Sequence, residues 1–343
     1  MIVHPFNTKI SRNLTVADLA MEPLIKNGVT QKVVDIGARS GMFELPESFS
    51  STAEFIGFEP NQVEYEKLVN RRTDSMLSGG KQPRFKKQKY FPSAVWSDDS
   101  EHELQITIGA GACSLSGKVD RKITEKMYLE GREQYTYYES VQKVVDTAMV
   151  SCSRLDSLIP EEEVIDYLKV DVEGGELDVF LGAERLLSKK SILFIKTEFL
   201  VTPYYQNKVL FGHQHVFLEK MGYRLIDIDL SHLRYLREPT KIPKTVDRRP
   251  IYAGDAYFML DPDLVEMDPI TRHRLAIMLL VFGFNSLAIS LIKEAKQLSV
   301  SEVCQLEIAL AKVPLHKIIK ETWRAFPYKI WPFLKNMGLF REG

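Results

Sequence analysis

The sequence predicts a doubly wound α/β domain followed by an all-helical extension, and three observations carry that prediction. Short apolar, β-branched runs alternate with helical patterns over most of the first 260 residues, as parallel strands joined by crossover helices do. Several of these runs close on a glycine or a carboxylate, at Gly37, Glu59, Asp171 and Glu198, and open α/β sheets bind ligands outside the carboxyl ends of their strands. Beyond Asp261-Pro262-Asp263 the pattern is helical only. The expected division is therefore 1–262 and 263–343.

The bulk properties narrow the class. A chain of 343 residues can hold one large domain and a smaller one. With 45% hydrophobic and 27% charged residues it is an ordinary globular composition, which excludes disorder as the main state. A net charge of -1 supplies no field to gather nucleic acid or an anionic membrane. Cys113, Cys152 and Cys304 are odd in number and form no CxxC pair, which argues against a disulfide framework or a zinc site and suits a reducing compartment. The opening MIVHPFNTKISRNL lacks the apolar core of a signal peptide, so a cytoplasmic protein is expected.

The elements follow in order. Val16 to Leu24 reads as a lead-in helix with Thr15 as its cap. Val33 to Ile36 is a buried strand that opens onto Gly37-Ala38-Arg39-Ser40-Gly41, a loop whose glycines let backbone N–H groups approach a nucleotide-like ligand. The spacing is not the G-x-G-x-x-G of a dinucleotide site. Glu54 to Phe58 is a second strand, ending in Glu59-Pro60-Asn61. A carboxylate there can accept both hydrogen bonds of a ribose diol, and Pro60 stops the strand before a polar helix, Gln62 to Asn70. Arg71 to Lys89 reads as a solvated loop and Phe91 to Trp96 as a third strand. Ser97-Asp98-Asp99-Ser100 suits the edge of an adenine pocket or a simple turn. Glu103 to Ile108 alternates as an edge strand or hairpin arm does. Gly109 to Val150 is the least regular stretch; its Tyr128, Tyr135, Tyr137 and Tyr138 suit an acceptor-binding lid or a surface helix pair.

The most informative stretch comes next. Ile165 to Val172 is a strand buried on both faces, apolar but for Asp166, Lys169 and Asp171. Glu173-Gly174-Gly175-Glu176 breaks it with a tight turn, after which Leu177, Phe180, Leu181, Leu186 and Leu187 recur at helical spacing. Asp171, Glu173 and Glu176 thus stand at the mouth of a ligand cleft, although helix capping alone would explain the same residues. Ile192 to Glu198 is another buried strand closing on a carboxylate. His213 and His215 sit near the start of the next helix, whose apolar face is Val216, Phe217 and Met221. Leu225 to Ile228 and Ala256 to Leu260 are the last strands, separated by a basic loop, Arg234 to Pro250.

The extension begins with Leu275 to Ile292, which carries no charge over 18 residues and brushes the length of a membrane span. Gly283, Asn285, Ser286 and Ser290 interrupt it, so two helices joined at Gly283-Phe284-Asn285 are expected and a membrane span is not. Trp323 to Phe340 mixes aromatics with Lys and Arg. Such a segment docks on a partner or a membrane surface, or packs back on the main domain, the more common outcome.

Taken in order, DIGARSG after a strand, FIGFEPN, AVWSDDS, SRLDSL and LKVDVEGGELDVFLGA resemble the FkbM-type methyltransferases over roughly Val33 to Leu260. The helical tail lies outside the resemblance. The resemblance implies a Rossmann-like, mostly parallel seven-stranded sheet, S-adenosylmethionine (SAM) as methyl donor, and O-methylation of hydroxyls on sugars, glycans or secondary metabolites. It implies that Asp35, Gly37, Ala38, Arg39 and Gly41 form the first donor loop, Glu59 with Pro60 the ribose-binding turn, and Ser97 and Asp98 part of the adenine pocket. Asp171 and Glu173 fall on the acidic motif ending the fourth strand, and Glu198 on the acid ending the fifth. Arg39 departs from the small or amide residue common there; it would pair with the donor's methionine carboxylate or crowd it.

That chemistry suits the residues. Methyl transfer from a sulfonium is an in-line displacement that depends on alignment, and an alcohol acceptor has to lose its proton, so a general base is expected. Asp171, Glu173 and Glu198 are the candidates, with His213 and His215 behind them, though a helix-surface role is the plainer reading of the histidines. The three carboxylates also suit Mg²⁺, but nothing in the sequence demands a metal. The expected partner is a small-molecule or glycan acceptor, with a protein partner or self-association through the helical tail as a further expectation. Two other classes share these features. A nicotinamide oxidoreductase has the same fold but needs the missing G-x-G-x-x-G, and an interaction protein could retain the donor site while its tail does the main work.

Overall fold

The structure, a computed structural model, describes residues 14–71, 84–128, 135–203, 205–206, 209–230, 234–235 and 251–311. α1 (Leu14–Lys26) leads into β1 (Lys32–Ile36), α2 (Glu47–Ser50), β2 (Glu54–Phe58), α3 (Gln62–Val69) and β3 (Lys87–Phe91). An insertion follows, with β4 (Ala94–Val95), β5 (Glu101–Thr107), α4 (Arg121–Thr124), β6 (Met127–Tyr128) and β7 (Val144–Ser153). The second half of the domain holds α5 (Leu155–Leu158), β8 (Ile165–Val170), α6 (Glu176–Leu181), α7 (Glu184–Ser188), β9 (Ile192–Leu200) and α8 (Phe211–Lys220). Then come β10 (Tyr223–Leu230), β11 (Arg234–Tyr235) and β12 (Ala253–Leu260), and finally α9 (Pro269–Phe282), α10 (Asn285–Ala295) and α11 (Val300–Ala311).

The main sheet has seven strands in the order β10-β12-β9-β8-β1-β2-β3. All are parallel except β12, which runs antiparallel to both its neighbours. The mostly parallel, seven-stranded α/β architecture expected from the resemblance is therefore the one observed. The chain moves outward from β1 to β2 and β3 on one side, and returns to β8 on the other. β1 and β8 thus flank the point where strand order reverses, where open α/β sheets form their ligand crevice. β5 and β7 pair as an antiparallel hairpin, with β4 parallel to β7. The hairpin stands beside the crevice.

Burial explains which strands the sequence reveals. β1, β8 and β9 are covered on both faces, and Val33, Val34, Leu168, Val170 and Ile192 to Ile195 are fully enclosed. β3 differs from expectation: the third strand is Lys87–Phe91, not Phe91 to Trp96. It is an edge strand with no fully buried residue, so the alternating KQKYF resembles a solvated loop, and lysines there also deter edge pairing. β7 was hidden in the irregular stretch for the same reason, since most of its residues remain partly or fully exposed. The helical pattern after Glu176 is two short helices broken at Gly182, where a Cβ would come within 1.9 Å of the Trp96 carbonyl oxygen. α8 buries Gln214 and Leu218 rather than Val216, which is 54% exposed.

The described part of the extension shares the sheet's core. Asp268 caps α9 by accepting from the N–H groups of Ile270 and Thr271, Pro269 starts it, and Gly283 (φ 88°) ends it as expected. Leu275 to Val281 are buried in one cluster with the strands, and the Phe282 ring stacks on Phe194 at 4.8 Å. Among the described residues no helix is long and apolar enough to cross a membrane. Trp323 to Phe340 and most of Arg234 to Pro250 lie outside the described residues.

Candidate active site

The crevice is built from the ends of β1, β2 and β8. Gly37 has φ +82°, and a Cβ there would lie 1.9 Å from the Asp171 carbonyl oxygen. Only glycine allows this loop to lie flush against the turn after β8. The seam is sealed by backbone bonds: Gly37 and Ala38 donate to the Phe58 carbonyl at 3.1 and 2.9 Å, and Asp171 donates to the Ile36 carbonyl at 3.0 Å. Gly41, also at φ +82°, closes the loop by donating to Ala38 at 2.9 Å. Gly37, Arg39, Glu59, Pro60, Asp171 and Glu173 line a single cleft. Asp35 is buried just beneath it.

The individual residues have distinct states. Burial pushes the Asp35 carboxyl up to about 6, against the pull of Lys169. Glu59 accepts the N–H of Asn61 at 2.8 Å, and burial raises its pKa to about 7. Arg39 lines the cleft with its charge already engaged, since its Nε lies 3.2 Å from Glu64 Oε2 on α3. Ser97 and Asp98 stand outside the cleft lining: Ser97 donates to Asp178 at 3.1 Å, and Asp98 is bonded by Ser100 and His102. β4 ends at Val95.

The turn after β8 is held in an unusual backbone state. Glu173 has φ 57° and Gly174 φ 97°, and a non-glycine residue in that region costs energy that its surroundings must supply. Ser114 Oγ donates to the Glu173 carbonyl at 2.6 Å. A Cβ on Gly174 would strike the Tyr205 ring at 2.4 Å, and one on Gly175 the Trp96 ring at 2.2 Å. Glu176 accepts from the N–H groups of Val172 and Gly174, at 3.2 and 3.1 Å, so it serves the turn itself.

Three carboxylates converge here. Oxygens of Asp171, Glu173 and Glu198 lie within 4.8 Å of one another, close enough to hold one hard divalent cation. Glu173 also accepts a hydrogen bond from the Tyr205 hydroxyl at 2.9 Å. Burial, then the charge of Asp171, raises Glu173 to about 8. Burial and the neighbouring carboxylates raise Glu198 well above its ordinary value. Among the described residues, its Oε2 is buried with no hydrogen-bond partner. Burial works to raise Asp171 as well, but the positive charges of Lys169, Lys196 and Arg39 together outweigh it and the carboxyl lies below its ordinary value. His213 is apart from this cluster, exposed, with Nδ1 accepting the Leu210 N–H at 3.1 Å at the start of α8. His215 packs between Phe211 and Phe258.

The opposite wall of the cleft was not read from the sequence. Trp96, Leu104, Gly111, Cys113 and Leu115 line it, from the residue after β4, the hairpin arm β5 and the segment after it. The small residues of Gly109-Ala110-Gly111-Ala112 were the available signal. Deeper in, Gln142 donates to the hydroxyls of Tyr137 and Tyr205, at 3.2 and 3.4 Å. The tyrosine-rich insertion therefore reaches Glu173 through Tyr205.

Among solved structures, the chain resembles magnesium protoporphyrin IX methyltransferase from Synechocystis PCC 6803. The match has 12% identity and a TM-score of 0.29, covering 72% of this chain and 78% of that one. A TehB-like SAM-dependent methyltransferase from Corynebacterium glutamicum aligns at 12% identity and a TM-score of 0.28, covering 73% of this chain and 94% of that one. No curated protein sequence matches the chain. With TM-scores this low, assignment falls to the family model. The methyltransferase FkbM domain matches residues 35–225, more than half of the chain and the whole of the crevice described above, and the chain belongs to the FkbM methyltransferase family.

Proposed function

We propose that this SAM-dependent methyltransferase acts on a hydroxyl group of a sugar, glycan or secondary metabolite, with Glu173 as general base. The observation that carries the reading is the placement of Glu173. Glu173 lines the same cleft as the Gly37 loop and Glu59, on a backbone turn whose carbonyl accepts from Ser114 and whose carboxylate accepts from Tyr205. In this reading Glu59 takes the donor's ribose hydroxyls and the Gly37 loop its methionine end. Transfer breaks the sulfonium S–CH₃ bond and forms an O–CH₃ bond, while Glu173 takes the hydroxyl proton and S-adenosylhomocysteine leaves. A carboxylate raised to about 8 binds a proton more strongly than an ordinary one, and acts as base in its ionised fraction, so turnover should rise with pH toward 8. A divalent cation, where one binds, would be held by Asp171, Glu173 and Glu198 and would polarise the acceptor oxygen.

The experiment is transfer of radiolabelled methyl from SAM to a panel of hydroxylated glycosides, comparing wild type with Glu173→Gln. Loss of the base should lower turnover by about 10²–10⁴-fold, with SAM affinity little changed. The labelled product should resist mild alkali, as an ether does. Label in an alkali-labile ester or on nitrogen would sink the hydroxyl reading. Full turnover by Glu173→Gln would remove Glu173 from the chemistry.

A further inference from the structure

Lys169 is out of place in the central strand. A strand covered on both faces of a parallel sheet is normally apolar, and an ammonium withdrawn from water is tolerated only where opposite charges receive it. The Lys169 side chain is 17% exposed, and its Nζ lies 3.1 Å from Asp171 Oδ2 and 3.5 Å from Asp35 Oδ1. Register explains the contact. Lys169 on β8 stands opposite Asp35 on β1, so both side chains leave the same face of the sheet. Asp171, two residues further along, returns to that face.

The two aspartates belong to different halves of the site. Asp35 runs through Ile36 into the donor loop at Gly37, while Asp171 runs through Val172 into the Glu173 turn. These halves meet at one seam, where the Asp171 carbonyl fills the space a Gly37 Cβ would need and the Asp171 N–H bonds Ile36. Two carboxylates flank that seam, one of them fully buried. With no cation between them, their repulsion would push the loop and the turn apart.

We propose that Lys169 is a positioning residue of the donor site, its ammonium bridging Asp35 and Asp171 and so fixing the donor loop against the catalytic turn. It acts through the two aspartates and does not itself line the cleft. Lys196, opposite Lys169 on β9, is an internal comparison. It is as deeply placed, 12% exposed, but it pairs with Glu44 at 2.9 Å and Asp255 at 3.5 Å. A purely structural buried lysine should behave like Lys196.

The role concerns the donor, so SAM alone tests it and no acceptor is needed. Full-length wild type, Lys169→Met, Lys169→Arg and Lys196→Met would be titrated calorimetrically with SAM, and their folding followed by circular dichroism. Lys169→Met should bind SAM about tenfold more weakly while folded. Lys169→Arg, which keeps the charge, should recover to within about threefold of wild type. Lys196→Met should melt earlier yet keep SAM affinity within about twofold. A folded Lys169→Met that binds like wild type overturns the proposal, as does a Lys196→Met that weakens SAM equally. If Lys169→Met does not fold, Lys169→Gln replaces it with the same expected loss and the same refuting result. A folded wild type that binds no SAM would overturn the donor site, and this role of Lys169 with it.

Discussion

Arg274 on α9 tests how far the sheet depends on the helices beyond residue 262. Its Nε and Nη2 grip both oxygens of Asp166 at 2.8 and 2.7 Å, and Nη2 also donates to the Val164 carbonyl at 3.1 Å. Asp166 is 0% exposed, on the central strand, and also accepts the backbone N–H of Lys32 at 2.6 Å. Arg274→Met keeps an apolar stem but removes the charge, and strands a carboxylate in the core. Removing one partner of such a buried pair costs about 3–5 kcal/mol. At about 1.4 °C per kcal/mol for a chain of this size, the melting temperature should fall by roughly 4–7 °C. Urea and thermal unfolding followed by circular dichroism would measure it. Asp166→Asn added to Arg274→Met removes the stranded charge and should restore at least half of the loss. A single variant within about 1 kcal/mol of wild type would refute the reasoning, since breaking a buried pair cannot be that mild. So would a double variant no better than the single.

Three further outcomes follow from the same geometry. A chain ended at residue 262 should fail to fold, because it exposes Tyr167 and Phe194 where Phe282 packs on them; a cooperative unfolding transition in that fragment would contradict this. Gly37→Ala should abolish SAM binding and cost about 1–3 kcal/mol, since its Cβ would meet the Asp171 carbonyl at a positive φ; wild-type affinity by calorimetry would refute it. Stability should fall as pH rises from about 4.5 to about 8. Across that window the folded chain keeps protons on Glu173 (to about 8) and on Glu59 and Glu176 (to about 7), which the unfolded chain has already released. Urea midpoints at pH 5 and pH 8 would show the slope, and Glu173→Gln should flatten it.

How much of the site could be read from the chain depended on locality. Asp35, Gly37 and Glu59 were legible because each lies within a few residues of a strand end, and strand-then-glycine or strand-then-acid is a short-range pattern. Asp171 and Glu173 were legible on the same grounds. The sequence missed Trp96, Leu104, Gly111 and Cys113, because they reach the cleft only after the hairpin folds back over it. It ranked His213 below the carboxylates as a candidate base, with a helix-surface role the plainer reading, and the structure has its Nδ1 accepting the Leu210 N–H at the start of α8. Ser97 and Asp98 stand outside the cleft lining, with Ser97 bonded to Asp178 on α6.

The sequence by itself determined the class of the fold, because apolar runs buried on both faces and helical stripes are periodicities of neighbouring residues, and it placed the acids at the strand ends. The tertiary structure decided their chemistry. A carboxylate's proton affinity depends on what burial and charge surround it, and those neighbours come from distant parts of the chain. Asp171 is kept ionised by Lys169, whose side chain is shared with Asp35 of another strand. Glu173 is raised by burial and by Asp171, and Asp166, a similar acid only a few residues earlier, is committed to Arg274 of the extension. Sequence periodicity sets which face a residue occupies; the packing of strands 134 residues apart sets what that residue can do.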